Sequence, residues 1–224
     1  DVLKYIEECN NLGIKIVRPD VNTSYNYFAP TKDGGIAFGL QAIKNVGAKA
    51  IESIIEMREI GGRYRSIYDF LERVDISKAN RRTIEHLAKA GALDSLGHPR
   101  AQIVESLETL LPHYQQAASQ KNDWGMSLFG ESSDEEITID HLPLADVPEW
   151  DKSVLLENEK ELIGLYVSGH PLDDYKELIQ SFSTSKKIDQ ENFVQDEKFT
   201  LGAQVKVIEK KFSKAGKDWA NLIL

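Results

Sequence analysis

Lys44 and Lys49 stand on either side of Asn45-Val46-Gly47-Ala48, and the chemistry this spacing suits is anion binding. Asn45 and Gly47 are residue types that tolerate a positive φ, one because its short amide can bond locally and the other because it has no Cβ. A chain that reverses there points the amides of Val46, Gly47 and Ala48 outward at the start of the following helix. Unpaired N–H groups and the helix dipole favour a negative charge at that position. With a lysine on each side, a phosphate of a nucleic-acid backbone is the anion that fits, since phosphate contacts supply most non-specific affinity. No base-reading device accompanies the site. The plain alternative is a helical hairpin whose lysines are only solvated.

The elements that position these residues follow from apolar spacing. Leu40 and Ile43 lie three apart, and Ile51, Ile54 and Ile55 continue at spacings of three and four, so two short helices can pack across the turn as a helix-hairpin-helix. Other groups offer less. Asp173-Asp174 and Asp134-Glu135-Glu136 have no hydrophobic strand to frame them, and five histidines with one cysteine show no ligand spacing, so no catalytic residue and no metal site is assigned. A different kind of site is suggested by Met126-Ser127-Leu128-Phe129, next to Trp124 and Gly125. This apolar cluster lies in a polar strip with no core of its own to join. It can enter a pocket on a partner or fold back on its own domain.

The chain has 224 residues, 41% hydrophobic, enough for one large or two modest domains. A single cysteine, Cys9, excludes an internal disulfide and fits a reducing compartment; a cytoplasmic location with no membrane partner is expected. No apolar run approaches the roughly 20 residues of a membrane span. No signal peptide opens the chain, and its start at Asp1 and finish at Leu224 inside an apolar run read as cuts from something longer. The net charge of -9 sits entirely between Glu131 and Glu161, where eleven acidic residues face two basic ones. The remainder is neutral overall and includes a basic block around the hairpin: Lys44, Lys49, Arg58, Arg63, Arg65, Arg73, Lys78, Arg81, Arg82, Lys89 and Arg100. That distribution permits phosphate binding on one face.

In chain order, a helix is expected from Val2 to Leu12, ended by Gly13, then a short β-like run at Ile14 to Val17 and a turn around Pro19, Asn22 and Ser24. Tyr25, Tyr27 and Phe28 could stack on bases, but core packing is favoured because no basic residues interleave with them. After the hairpin, helices are expected at Ala50 to Glu59, Ser66 to Val74, Asn80 to Ala90 and Pro99 to Leu111. Thr83 to Leu111 is a degenerate second copy of helix, turn and helix. From His113 to Asp151 the composition is that of a linker. A helix from Val154 to Val167 and a turn at Ser168 to Pro171 come next. Alternation from Phe199 to Lys211, a turn at Lys214 to Lys217 and a strand from Trp219 to Leu224 complete the chain. The fold class is therefore mainly α: a tandem helix-hairpin-helix module, a flexible linker, and the start of an OB-type β-barrel.

Several of these runs together resemble one family. Glu8-Cys9 through Pro19-Asp20-Val21-Asn22, then Phe38 to Gly47, then Asn80-Arg81-Arg82 with Ala90 to Asp94, then Ser127 to Gly130, then Glu159 to Leu172 are collinear with the bacterial replicative DNA polymerase III alpha subunits. The resemblance covers nearly the whole chain. It implies five parts: the end of the fingers over 1–35, a tandem helix-hairpin-helix domain holding duplex over 36–112, an acidic linker with a clamp-docking peptide over 113–151, a helical connector over 152–198, and the first strands of an OB domain over 199–224. It assigns DNA contact to Lys44, Asn45, Val46, Gly47, Ala48 and Lys49, and sliding-clamp contact to Met126, Ser127, Leu128 and Phe129. Asn45 replaces the usual first glycine of the hairpin, and Gly125 replaces the glutamine that usually opens the clamp peptide. The parent subunit would be a DNA-directed DNA polymerase using divalent metal, Mg, held by palm aspartates upstream of Asp1, with other replicase subunits as partners and no cofactor in this segment. A helix-hairpin-helix part of a repair nuclease or ligase, or a protein-interaction module, are the alternatives.

Overall fold

The computed structural model describes residues 2–125, 141–183, 198, 200–212 and 218–223. The chain divides into two compact units, Asp1–Ser168 and Gly169–Leu224.

The first unit opens with α1 (Val2–Asn11), whose Ile6 is buried, and Gly13 ends it with a φ of 71°. A small sheet follows. β1 (Ile16–Val17) runs parallel to β3 (Ile36–Ala37), and β2 (Ala29–Pro30) pairs with β3 antiparallel. The turn between β1 and β2 is joined to what comes later. The Asn22 side chain acts as a substitute peptide, donating from Nδ2 to the Tyr64 carbonyl at 3.0 Å and accepting the Tyr64 amide at 2.7 Å. Arg58 is buried and donates to the carbonyls of Val21 and Ser24, both at 2.7 Å. A buried guanidinium needs such acceptors, because an unpaired charge in the interior is expensive.

The helical body consists of α2 (Ala48–Gly61), α3 (Ile67–Arg73), α4 (Arg81–Lys89), α5 (Arg100–Gly125) and α6 (Lys152–Leu162). Each short helix starts or stops for a local reason. Ser66 and Asn80 cap α3 and α4 by accepting the Asp69 and Thr83 amides. Arg73 donates to the Met57 and Gly62 carbonyls, satisfying the C-terminal end of α2. One apolar face of each helix meets in a common core that includes Leu40, Ile43, Ile51, Ile54, Ile67, Phe70, Ile84, Leu87, Leu93, Ile103, Leu107 and Leu110.

Three expectations change. The helix expected to stop at Leu111 continues through Pro112 to Gly125. Proline in a helix interior costs about 3 kcal/mol, yet Leu107, Leu110, Leu111 and Tyr114 keep one face buried across it, and that packing outweighs the lost hydrogen bond. Residues 141–151 do not hang free as a linker. They lie as a strap along α3 and α5, with Tyr68 Oη donating to the Leu142 carbonyl, Ala145 N donating to Ser106 Oγ, and Gln102 Nε2 donating to the Val147 carbonyl. The connector expected over 152–198 is divided, since α6 packs against α4 in the first unit. The reason is Glu159, fully buried, whose carboxylate accepts from Arg100 Nη1 and from the amides of Val167 and Ser168.

In the second unit, a turn at His170 to Leu172 and a 3-10 turn over Asp173–Tyr175 lead into α7 (Lys176–Phe182). His170 serves as a turn residue, its amide donating to Asp173 and its Nδ1 accepting the Leu172 amide. β4 (Val207–Phe212) and β5 (Asp218–Ile223) then form an antiparallel hairpin with every side chain exposed. β5 falls within a residue of its expected place, whereas the strand expected over Phe199 to Lys211 begins only at Val207, with 201–205 outside regular structure; two strands are a hairpin and not yet a barrel. No helix among the described residues is long and apolar enough to cross a membrane.

Candidate nucleic-acid interface

The first half of the hairpin is tighter than a helix. Leu40–Ala42 make a single 3-10 turn, Ile43 leaves it extended, and Asn45 alone takes the left-handed conformation, with φ 63°. Gly47 does not use a positive φ: it is the extended N-cap of α2, at φ -76° and ψ 145°. Ile43 and Val46 point into the core and fix the turn to the body. Two distant elements hold it as well. The Lys44 amide donates to the Leu162 carbonyl at the end of α6, and the Lys44 carbonyl lies 3.2 Å from Nδ1 of His86 on α4.

What this leaves at the start of α2 is a set of open donors. The amides of Gly47, Ala48 and Lys49 have no acceptor among the described residues, while Ala50 and Ile51 both bond back to the Gly47 carbonyl. No side chain caps the helix and its first turn carries no acidic residue. Space above Gly47 is open, with no atom within 4 Å of where a Cβ would stand. Val46 differs from the expectation, because its side chain is buried and its amide donates to Ile43, a long bond at 3.4 Å. Lys44 and Lys49 are exposed and neither forms an ion pair among the described residues. The turn therefore presents three amides and a positive helix terminus, with an exposed lysine before and after them in the chain.

The wider basic block is smaller than the sequence suggests. Arg58 and Arg100 are buried, Arg73 caps α2, and Lys78 and Lys89 pair with Asp75 and Glu85. Hydrogen bonding from Ser77 holds the Asp75 carboxyl below its usual range, and the Lys89 ammonium does the same to Glu85. Arg81 lies 4.0 Å from Glu108, and Lys44, Lys49, Arg63, Arg65 and Arg82 remain exposed and unpaired among the described residues.

The second hairpin, between α4 and α5, has a different chemistry. Gly91 turns at φ 78° within the core, and Arg100, the first residue of α5, points inward with only 5% of its surface exposed. Its guanidinium bonds both Asp94 oxygens at 2.8 Å and Glu159 at 2.9 Å. Burial works against the charge, but the Asp94 and Glu159 carboxylates outweigh it and raise the Arg100 pKa. The amides of Arg100 and Ala101 are already taken, donating to the two oxygens of Glu149 at 2.7 and 3.0 Å. Burial alone would raise the Glu149 carboxyl, yet the amides of Ala101, Trp150 and Arg100, with the Arg100 charge, hold it below the usual carboxylate range.

Tyr25 and Tyr27 are not core residues: they are 53% and 72% exposed. Their loop is bound to the hairpin by its backbone, with Leu40 N donating to Tyr25 and Gln41 N to Asn26, which turns those side chains outward. Phe28 keeps part of the expected packing, edge-on to Phe38 at 4.6 Å, and the Tyr25 ring lies 4.9 Å from the guanidinium of Arg58. Met126, Ser127, Leu128 and Phe129 lie outside the described residues. Among those described, no three His, Cys, Asp or Glu side chains gather as they would around a metal ion. Sequence reasoning missed Arg58, Glu149 and Glu159, whose charged side chains gave no local sign of burial or capping.

Comparison with known proteins gives a consistent picture. A helix-hairpin-helix motif family matches residues 13–103. DNA polymerase III subunit alpha of Borreliella burgdorferi is 40% identical over 180 residues, covering 80% of this chain and 16% of that protein. The subunit of the same name from Vibrio cholerae is 36% identical over 189 residues, 83% of this chain and 16% of that one. That from Saccharopolyspora erythraea is 34% identical over 227 aligned positions, 98% of this chain and 19% of that protein. The chain thus spans less than a fifth of the length of these curated relatives.

Proposed function

From the premise that this chain belongs to the DNA polymerase III subunit alpha family, as a segment of it, we propose that its first hairpin holds duplex DNA by the phosphate backbone. The parent subunit carries out template-directed DNA synthesis, and this segment keeps the product duplex in place behind the growing end. One observation carries the reading: three amides at the start of α2 without an acceptor among the described residues, flanked by two exposed, unpaired lysines, with open space beside Gly47. Such a site takes a phosphate without regard to base sequence, as a polymerase that must move along any template requires. Lys44 and Lys49 supply charge, Gly47, Ala48 and Lys49 supply amides, and Asn45 shapes the turn.

Met126 to Phe129 would dock in a pocket of a sliding clamp, with Leu128 and Phe129 as apolar anchors. Gly125 in place of glutamine removes one polar contact from that peptide. Residues up to 35 would be the end of the fingers, and β4 and β5 the first strands of an OB barrel. Other replicase subunits are expected partners in the cytoplasm. The magnesium that primer extension uses would be held by carboxylates of the parent's palm.

The test is fluorescence anisotropy of labelled duplexes of two unrelated sequences, titrated with the 224-residue chain across a salt series. Lys44→Glu with Lys49→Glu should weaken both duplexes alike. Each lost phosphate contact lowers the salt slope by about 0.9, so the pair should lower it by about two. An unchanged slope would refute phosphate binding at this turn.

A further inference from the structure

Both hairpins end in a helix N-terminus, the site type that favours an anion, but only one of them is vacant. At α5, both carboxylate oxygens of Glu149 are in use, Oε2 accepting from Arg100 N at 2.7 Å and Oε1 from Ala101 N at 3.0 Å. Oε1 also accepts the Trp150 amide at 2.9 Å. We infer that the helix terminus of the second hairpin is an anchoring site for this chain's own strap, filled by Glu149, and that the tandem offers DNA one phosphate-holding hairpin rather than two. The inference rests on the proposed DNA reading of the first hairpin and adds which half of the tandem does the holding.

Three features of the second hairpin agree. Its first basic residue, Arg100, which could neutralise a phosphate, is committed inward to Asp94 and Glu159. The strap behind Glu149 is fastened along its length, from the His141 ring stacked at 4.4 Å on Tyr68, through the Leu142 and Val147 carbonyls, to the Ala145 amide. A phosphate approaching α5 meets the negative charge of Glu149 and would have to displace the whole strap to reach the amides. At α2 nothing comparable stands in the way. No acid lies in its first turn and no side chain caps it.

The arrangement also gives the strap its register. Extended chain without a sheet partner has few ways to fix its position along a helix. Two charge-assisted hydrogen bonds at one end set the position of residues 141–149 against α3 and α5.

Glu149→Gln keeps the shape and one acceptor while removing the charge, so the fold is retained. In the 224-residue chain, hydrogen exchange at the Ala101 and Ala145 amides should quicken about tenfold, the factor that loss of a charge-assisted hydrogen bond carries. Unchanged exchange would overturn the anchoring role. In the parent, adding saturating duplex should leave exchange at the Ala145 amide as it was; a quickening there would overturn the single-hairpin reading, because a phosphate would then be displacing Glu149 and its strap from the α5 terminus. If the parent chain shows no salt-dependent duplex binding, the DNA reading of the first hairpin fails, and the exchange measurement still decides whether Glu149 is an anchor.

Discussion

Replacing Glu159 with alanine tests whether the helical unit is closed by a dry ion pair. Glu159 has no exposed surface and the Arg100 side chain is 6% exposed. Glu159→Ala removes the acceptor for Arg100 Nη1 and for the Val167 and Ser168 amides at once. Breaking a buried pair costs about 3–5 kcal/mol, and a buried amide left without an acceptor adds about 1–3 kcal/mol. Two facts reduce the sum: Arg100 keeps both Asp94 oxygens and Ser168 lies at the surface, where water can replace the lost acceptor. A net loss of about 3–4 kcal/mol follows, and a domain of this size loses roughly 2–4 °C per kcal/mol, so the midpoint should fall by roughly 6–16 °C. The assay is thermal and urea unfolding followed by far-ultraviolet circular dichroism at pH 7. Glu159→Gln, which keeps the volume and one acceptor, should lie between the parent and Glu159→Ala. A loss below about 1 kcal/mol in Glu159→Ala would mean that the pair behaves as a hydrated surface contact, and the reasoning would be wrong.

Asn45→Gly should change stability by less than about 0.5 kcal/mol, whereas Asn45→Val should cost about 1–2 kcal/mol, because a branched Cβ is poorly accommodated at positive φ; thermal unfolding checks both. The depressed Glu149 carboxyl stabilises the strap above the pKa of the unfolded chain, about 4.3, and that contribution is lost as pH falls through the lower folded value. Trp150 emission, followed in a chain with phenylalanine at the other two tryptophans, should accordingly hold steady down to about pH 4 and change below it; a transition centred above the ordinary carboxylate range would contradict the assignment. Leu128→Ala with Phe129→Ala should cost upward of about 2 kcal/mol of binding to a sliding clamp, while duplex binding measured without clamp stays as it was; surface plasmon resonance reads the first and anisotropy the second.

Most helices were legible because their apolar spacing and caps are local signals, although the helix expected from Val154 to Val167 spans Lys152–Leu162. Ser66, Asn80 and the glycines after α1, α2 and α4 mark ends that the structure places within a residue or two. The hairpin turn could be read for the same reason, through Asn45, although the helix expected before it is only a 3-10 turn. What escaped depends on distant partners. Pro112 argues locally for an end, and only the burial of Leu110, Leu111 and Tyr114 against other helices carries α5 past it. Nothing near Glu149 or Glu159 distinguishes the carboxylates that cap and pair from the exposed acids of the same strip. Similarly, Arg58 and Arg100 count as free basic charge in a sequence and as interior struts in the fold.

The amide of Lys44 finds its acceptor at Leu162, and the guanidinium of Arg100 finds one of its carboxylates at Glu159. As the chain leaves the ribosome, the hairpin and most of its supporting helices therefore emerge well before the residues that complete them. Contacts so far apart in sequence form late, since the loop between them must close first. Until residues 159–168 appear, Arg100 has Asp94 but lacks Glu159, and the turn that presents the amides lacks its support from α6. A fragment ending at Gly125 would contain every residue of the first hairpin and still stop short of what holds it in shape. The natural C-terminal boundary for handling this unit alone is Ser168, where the first compact unit ends.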